Sequence, residues 1–348
     1  MIDIEGTAAT KKRHVVIFGG SGFLGSDLRS RLVARGDRVT VVARDRSRDH
    51  HGWTQAFWDA ETLGPWIDIL EDADVIVHMA GKRVDTRPNR KNIAELIRSR
   101  EGTVALVGRA LKLTDSRPDA WIQMSSLARF GDFGDAIIDE STPPPESGHR
   151  QMVEVCRRWE AAFEEASQGI ARTVLLRPSI GIGGGGDPAS RQLATLARFG
   201  LAGRVGSGRQ WVSWIAADDL FALIERAVVD ETMSGLYHLT SPAPVQNREL
   251  MAAYRTAVGR RFGLRSPRPI AHLGAKVLGT DPALALTGRR AVPTRLLSDR
   301  YQFVCTSLEE AVTAAAVPVI ASANEPPPLP RGMARRGMRR VSEPRTKS

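Results

Sequence analysis

The sequence predicts an α/β protein: a doubly wound parallel sheet carrying helices on both faces, followed by a smaller mixed C-terminal lobe. Three observations predict it. Short apolar runs of strand length alternate with segments of helical spacing. The first run ends in a glycine-rich turn that opens a helix. After Ile182 the alternation gives way to short strands, helices and Gly/Pro-rich loops. Strands separated by helix-length segments imply βαβ units and hence parallel pairing.

The elements follow in order. HVVIF (His14–Phe18) reads as a buried strand, because it is a short apolar run that ends in glycines. Phe23, Leu24, Leu28, Leu32 and Val33 lie at helical spacing, and Gly36 stops that helix. Arg38–Ala43 is a second strand, a third precedes Trp58, and Asp74–Gly81 is a fourth. A long helical pattern runs through Leu96, Val104, Leu106, Val107 and Leu111. Trp121–Ser126 is a strand, Val153–Ala166 a helix and Thr173–Pro178 a strand. Beyond Ile182, WVSWI and GLYHL read as short strands, with helices over Asp219–Val229, Arg248–Val258 and Leu308–Ala315. The expected organisation is a flexible N-terminus over 1–13, a nucleotide-binding sheet domain over 14–182, a substrate lobe over 183–318 and a disordered Pro/Arg-rich tail over 319–348.

Composition narrows the function classes. The chain has 348 residues, 49 Lys+Arg and 39 Asp+Glu, for a formal net charge of +10. No uninterrupted apolar stretch of about 18 residues is present, so a spanning helix, and with it a membrane partner, is not expected. The opening MIDIEGTAATKKRH has no apolar run after its bases and does not read as a secretory signal. Two cysteines, Cys156 and Cys305, exclude a disulfide framework or zinc ribbon and point to a reducing cytoplasm. Residues 323–348 hold seven bases and two acids around EPPPLP and read as a solvated extension. No aromatic is interleaved with those arginines, so a nucleic-acid partner is not expected. Paired carboxylates, metal-ligand spacing and a Ser–His–Asp arrangement with its nucleophile elbow are absent, so no metal is expected.

Gly19, Gly22 and Gly25 stand in GGSGFLG, between the first strand and the first helix. Glycine there permits positive φ and leaves no Cβ between backbone and ligand. The helix start, with Phe23 and Leu24, presents free N–H groups and a partial positive charge to a diphosphate. In this position the spacing is the signature of a Rossmann-type dinucleotide site.

The second strand selects the dinucleotide. NAD sites usually end that strand with Asp or Glu, which binds the ribose 2′-hydroxyl. Here it ends in Arg44, with Arg46 and Arg48 behind. A guanidinium can fork onto a 2′-phosphate, so NADP(H) is preferred, while Asp45 keeps NAD(H) possible. Asp59, after the third strand, could accept from the adenine amino group or serve as an ordinary turn aspartate.

The motifs GGSGFLG, HMAG, SSLARFG and the RP pair at Arg177-Pro178 resemble the extended, epimerase-like short-chain dehydrogenase/reductases. A narrower resemblance, to the atypical "epimerase family protein" group, runs through Ser99-Arg100, Cys156–Glu160, Gly183–Gly186, Gly206–Leu220, Ala243–Leu250, Gly288–Leu297 and Tyr301–Phe303. It covers about His14 to Pro318. The resemblance implies NADP(H) bound on a Rossmann sheet and a C-terminal lobe with no settled substrate.

In that superfamily a Tyr is the general acid/base, a Lys four residues later lowers its pKa, and a Ser or Thr binds the reacting oxygen. Hydride transfer at a carbonyl must be matched by a proton at its oxygen. Ser126 stands at the expected serine. The Tyr and Lys positions fall on Met152 and Cys156, and neither can do that work. The three tyrosines, Tyr237, Tyr254 and Tyr301, are followed four residues on by Ser241, Val258 and Cys305, so no YxxxK exists. The atypical group also tends to lack the pair. His149 could replace the acid, or be a loop histidine beside Arg150. Cys156 could be a nucleophile but reads better as a small buried hydrophobe. Glu160 is expected to anchor its helix.

Ligands of open α/β sheets lie beyond the carboxyl ends of the strands. Ala80 and Gly81 there would let a ribose approach, Lys82 could reach a phosphate or substrate anion, and Pro178 and Ser179 would lie by the nicotinamide carboxamide. Gly183–Gly186 is a hinge, lid or anion-binding turn. Arg209, Trp211 and Trp214 face a small-molecule substrate between the lobes or pack them together. Asp218 and Asp219 open the next helix. The expected function is an NADP(H)-binding epimerase or oxidoreductase on a small polar, sugar-nucleotide-like substrate; the alternative is a binding protein or sensor that has lost turnover. A homodimer is possible through the helices after the fourth and fifth strands.

Overall fold

The computed structural model describes residues 11–45, 52–146, 151–183 and 187–324. The chain runs β1 (His14–Phe18), α1 (Phe23–Ala34), β2 (Arg38–Ala43), β3 (Thr54–Phe57), β4 (Val75–His78), α2 (Arg90–Ile97), α3 (Thr103–Leu111), β5 (Ala120–Met124), β6 (Ile137–Ile138), α4 (Gln151–Ala166), β7 (Arg172–Pro178) and β8 (Ile180–Ile182). It continues with α5 (Pro188–Arg198), β9 (Trp211–Val212), β10 (Trp214–Ala216), α6 (Ala217–Val229), β11 (Gly235–Leu239), β12 (Val245–Gln246), α7 (Asn247–Ala257), α8 (Arg268–Leu278), α9 (Ala283–Leu286), β13 (Arg290–Ala291), α10 (Thr294–Ser298) and α11 (Leu308–Asn324).

Seven strands form the central sheet in the order β11-β7-β5-β4-β1-β2-β3, every neighbouring pair parallel. β1, β4 and β5 are buried along their whole length, which is why each is mostly apolar rather than alternating, with only His14, His78 and Gln123 polar. α1 packs with α6 and α3 with α4. Phe18 at the end of β1 meets Trp58 at 4.9 Å and Trp66 at 5.8 Å between ring centroids, closing the core under β3.

Two features depart from the expected layout. The sheet's edge strand β11 and the helix α6 come from beyond residue 182, because β7 needs a parallel partner and only the later chain supplies one. The long helical pattern after β4 is two helices joined by a π-helical turn at Arg98–Gly102. An inserted residue there re-aims the side chains of the bulge, and such bulges occur often at functional sites. A second, smaller core gathers Ile182, Trp214, Leu250, Tyr254 and Val312, with α5, α7 and α11 around it. The Tyr254 hydroxyl donates to Ser190 Oγ at 2.9 Å inside this core. Among the described residues no helix is long and apolar enough to cross a membrane.

Candidate functional site

The glycine turn sits at the carboxyl end of β1, where three glycines do three different things. Gly19 has φ +90°, and a Cβ there would lie 2.8 Å from the Ala80 amide nitrogen, so the turn is pressed against the end of β4. Gly25 lies under the turn, and its Cβ would stand 2.5 Å from Gly20 Cα. Gly22 is the N-cap of α1 and its Cβ would meet only Gly19 O, at 3.6 Å, so its outer side is open. No side chain caps α1 and no acid stands in its first turn. Its free N–H groups and positive helix end therefore face an open space able to take an anion. Phe23 packs on Phe221 at 5.3 Å and Leu24 on the main core, fixing the helix against α6 and the sheet.

At the end of β2 Arg44 is exposed. Arg46, Arg48 and His149 lie outside the described residues, as do Gly184–Gly186. Arg29, one turn beyond Gly25, stacks over Trp53 at 4.3 Å and reaches Gly20 O at 3.5 Å. It adds a second cation beside the glycine turn, one the strand-end pattern gave no reason to single out. Asp59 is exposed and accepts from the Glu61 and Thr62 amides at 2.8 and 2.7 Å. The bond from the Thr62 hydroxyl first, then the bonds from these two amides, hold its carboxyl down at about 2. The carboxylate thus builds its own turn at the end of β3.

The ends of β4, β5 and β7 converge on α4. The Arg100 guanidinium, projected from the π turn, lies against Gly81, whose Cβ would be 3.1 Å from Arg100 Cζ. It donates to Lys82 O at 2.8 Å and lies 5.0 Å from the Trp159 ring. The Lys82 ammonium is paired with Glu95. Ser125 and Ser126 take different roles at the end of β5. Ser125 is buried and its hydroxyl donates to Glu160 at 2.5 Å. Ser126 is half-buried and its oxygen accepts from the Ala128 amide at 3.1 Å, leaving its proton free to donate.

Glu160 is the hub of this corner. Arg177 at the end of β7 grips it with two hydrogen bonds of 2.8 and 2.7 Å, and Arg129 stands 3.7 Å away. Sequence reasoning gave Glu160 only an anchoring role; the arginines that complete it come from two other elements. Met152 is half-buried on the first turn of α4. Cys156 is fully buried; desolvation first, then the Glu160 charge, pushes its thiol up to about 12. A thiol so shifted carries no thiolate near neutrality. Ser179 donates through both its amide and its hydroxyl to Leu239 O, at 2.9 and 3.0 Å, beside Pro178 at the end of β7.

The lobe candidates separate. Trp214 is buried in the second core with its indole donating to Ala243 O at 2.8 Å. Trp211 is half-buried; its indole donates to Asp135 Oδ1 at 2.8 Å and Arg290 lies over its ring at 4.3 Å. Arg209 lines a cavity of about 260 Å³ with Asp132, Asp135, Ser207, Gln210 and Arg268. Gly288 borders it: Phe133 donates to its carbonyl and its own amide donates to Asp132, both at 3.0 Å. A Cβ on Gly288 would stand 2.5 Å from the Trp211 amide nitrogen. Asp218 and Asp219 open α6; Asp219 is buried and accepts from the Val304 and Cys305 amides at 2.8 and 3.0 Å.

A parallel sheet with a bare helix start at its first crossover defines a nucleotide-binding α/β protein. Residues 15–234 match the NAD dependent epimerase/dehydratase family, and the chain belongs to that family. It is 30% identical over 298 residues to an epimerase family protein of Mycobacterium bovis, covering 86% of this chain and 96% of that one. The structure of human epimerase family protein SDR39U1 with NADPH is similar at a TM-score of 0.75 and 28% identity, covering 87% of this chain and 99% of that one. A nucleoside-diphosphate sugar epimerase from Corynebacterium glutamicum is similar at a TM-score of 0.68 and 29% identity, over 88% of this chain and 59% of that one.

Proposed function

We propose that this chain binds NADP(H) along the carboxyl edge of its sheet and acts as an epimerase-like oxidoreductase on a small polar, sugar-nucleotide-like substrate. The observation that carries the proposal is the open, uncapped start of α1 above Gly22, a cradle that a side chain would fill. The NADPH of the human relative and the substrate class in the corynebacterial relative's name support the two halves of the reading. Gly19, Gly22 and Gly25 would hold the diphosphate through main-chain amides, with Phe23 and Leu24 continuing the cradle. Arg44 would take the 2′-phosphate; NAD(H) would lack that contact. Ala80, Gly81, Pro178 and Ser179 border the space for the nicotinamide half.

A nicotinamide supplies reversible hydride transfer when bound. The chain's part is to orient and to manage one proton. Ser126 would donate its free proton to the reacting oxygen, because Ser125 beside it is already committed to Glu160. Met152 has no proton to give, and Cys156 holds its proton too tightly. The proton then comes from water, from the substrate or from His149. Lys82, Arg209 and Trp211 border the substrate side, with residues 14–182 holding the cofactor and 183–318 shaping the substrate lobe.

The same Met152 and Cys156 favour a second reading, a sensor that keeps the cofactor without turnover. Titrating the protein with NADPH and NADH by tryptophan quenching, then supplying nucleotide sugars and small carbonyls, separates the two. Oxidation of NADPH with one of them supports the enzyme. Tight binding with none oxidised supports the sensor, and no binding overturns both. Both cysteines are free of disulfides, in keeping with a cytoplasmic protein. A groove lined by Ile93, Ile97, Ala105 and Arg158 on α2, α3 and α4 supports homodimer formation there.

A further inference from the structure

We propose that α8 and the loop before it form a face that docks on an anionic lipid surface. Between Leu250 and Thr280 the chain has six Lys or Arg and no Asp or Glu. Between Pro188 and Ala217 it has four arginines and again no acid. Hydrogen bonds join the two stretches: Leu264 donates to Gly200 O at 2.8 Å, Gly203 to Leu264 O at 3.1 Å and Ser266 to Arg204 O at 3.0 Å. The two carboxylates that flank the first stretch are engaged elsewhere. Glu249 accepts from the Gln246 amide at the start of α7, and Asp281 is buried and accepts from Ala283.

This basic face is also apolar. Phe262 is 87% exposed, Leu264 68%, Leu273 63% and Val277 75%. α8 is turned inside out: Ala271 and Ala275 lie inward, while Ile270, Leu273 and Val277, at helical i, i+3 and i+7 spacing, face outward. Phe199 and Leu201, exposed on the bonded stretch, extend the patch. Contiguous exposed apolar surface in a folded protein marks a contact.

The chemistry selects the partner. Aliphatic side chains accompanied by Arg260, Arg261, Arg265 and Lys276 match an interface whose headgroups are anionic and whose interior is hydrocarbon. A second copy would oppose the same positive charges. Nucleic acid would answer the charge but not the Leu, Ile and Val tips, which offer no stacking plane. No spanning segment is needed, so the absence of a long apolar helix among the described residues does not bear on this contact.

The test is co-sedimentation of the full chain with vesicles of phosphatidylcholine alone and with roughly one-third phosphatidylglycerol. Binding to the anionic vesicles only, weakened by salt, is expected. The R260E/R261E and Leu273→Asp variants should each lower partitioning by roughly tenfold while keeping the parent melting temperature. Removing residues 325–348 should leave binding intact. Sedimentation with neither vesicle, or equally with both, overturns the proposal. Loss on tail removal with no effect of the face variants overturns it too. A lipid-free dimer dispersed by Leu273→Asp, or duplex DNA retained in place of vesicles, assigns the face to another partner and also overturns it.

Discussion

Glu160 and Arg177 form a two-pronged ion pair, at 2.8 and 2.7 Å, that joins the middle of α4 to the end of β7 with both side chains nearly out of solvent. Arg129 leans on the same carboxylate. One acid thus neutralises two buried cations directly beside Ser126. Removing Glu160 alone leaves those cations facing each other and the Ser125 hydroxyl without its acceptor. Glu160→Ala should cost about 3–5 kcal/mol of stability, read as a lowered melting temperature. A Glu160→Leu/Arg177→Met double change should recover part of that loss, and a single variant as stable as the parent would refute the pairing.

The glycine turn can be dissected by position. Gly25→Ala forces a methyl into the Gly20 backbone and should destabilise the protein by about 1–3 kcal/mol even without ligand. Gly22→Ala has room and should melt like the parent. Its methyl occupies the open side of the cradle, so NADPH affinity should fall by about tenfold or more, seen by tryptophan quenching. Undiminished affinity in Gly22→Ala would remove the diphosphate from this turn.

Arg44 tests the 2′-phosphate assignment. Arg44→Asp should weaken NADPH by roughly tenfold more than NADH, since the proposed charged fork would contact only the former. Equal losses by isothermal titration would return the selectivity to another residue, with Arg29 next in line.

Among the described residues His14, His78 and His238 are buried, and burial lowers His78 and His238 furthest. Burial pushes the His78 imidazole down to about 3, and burial followed by the Arg177 charge does the same to His238. Asp139 pulls His238 the other way, and Glu140 binds its main-chain amide. Both rings are neutral in the fold but take up protons in the unfolded chain below about pH 6.5. Their contribution is therefore present above pH 6.5 and is lost as the pH falls toward 3. Two extra protons on the unfolded state make stability drop on the order of 3 kcal/mol per pH unit through that window. Replacing His238 with Leu should flatten urea-derived stability against pH by about one proton's worth; an unchanged slope would count against its burial as the neutral form.

Most of the sheet was legible because a parallel strand buried on both faces leaves an apolar run that needs no partner to be recognised, as in His14–Phe18 and Ala120–Met124. The glycine turn was legible for a related reason: its constraints are local. What was not legible depends on distance. β11 completes the sheet only because β7 lies open beside it, and nothing in GLYHL says so. The π turn that aims Arg100 at Gly81 looks like continuous helix in periodicity. Trp211 and Trp214, three residues apart, read alike in sequence; the break between β9 and β10 sends one against Asp135 and Arg290 and the other into the second core. Glu160 was expected to anchor α4, but its partners Arg129 and Arg177 are brought to it by separate crossovers.

Gly288 is clasped by Phe133 and Asp132 on one flank and by the Trp211 main chain on the other. The segment leaving Ser126, the turn before β9 and the approach to β13 are therefore buckled at a single residue with no room for a side chain. The cavity that Gly288 borders therefore cannot widen by sliding one wall alone. A descendant of this chain that lengthened any of the three strips would have to refit the other two, so the shape of that cavity would change in jumps rather than by degrees.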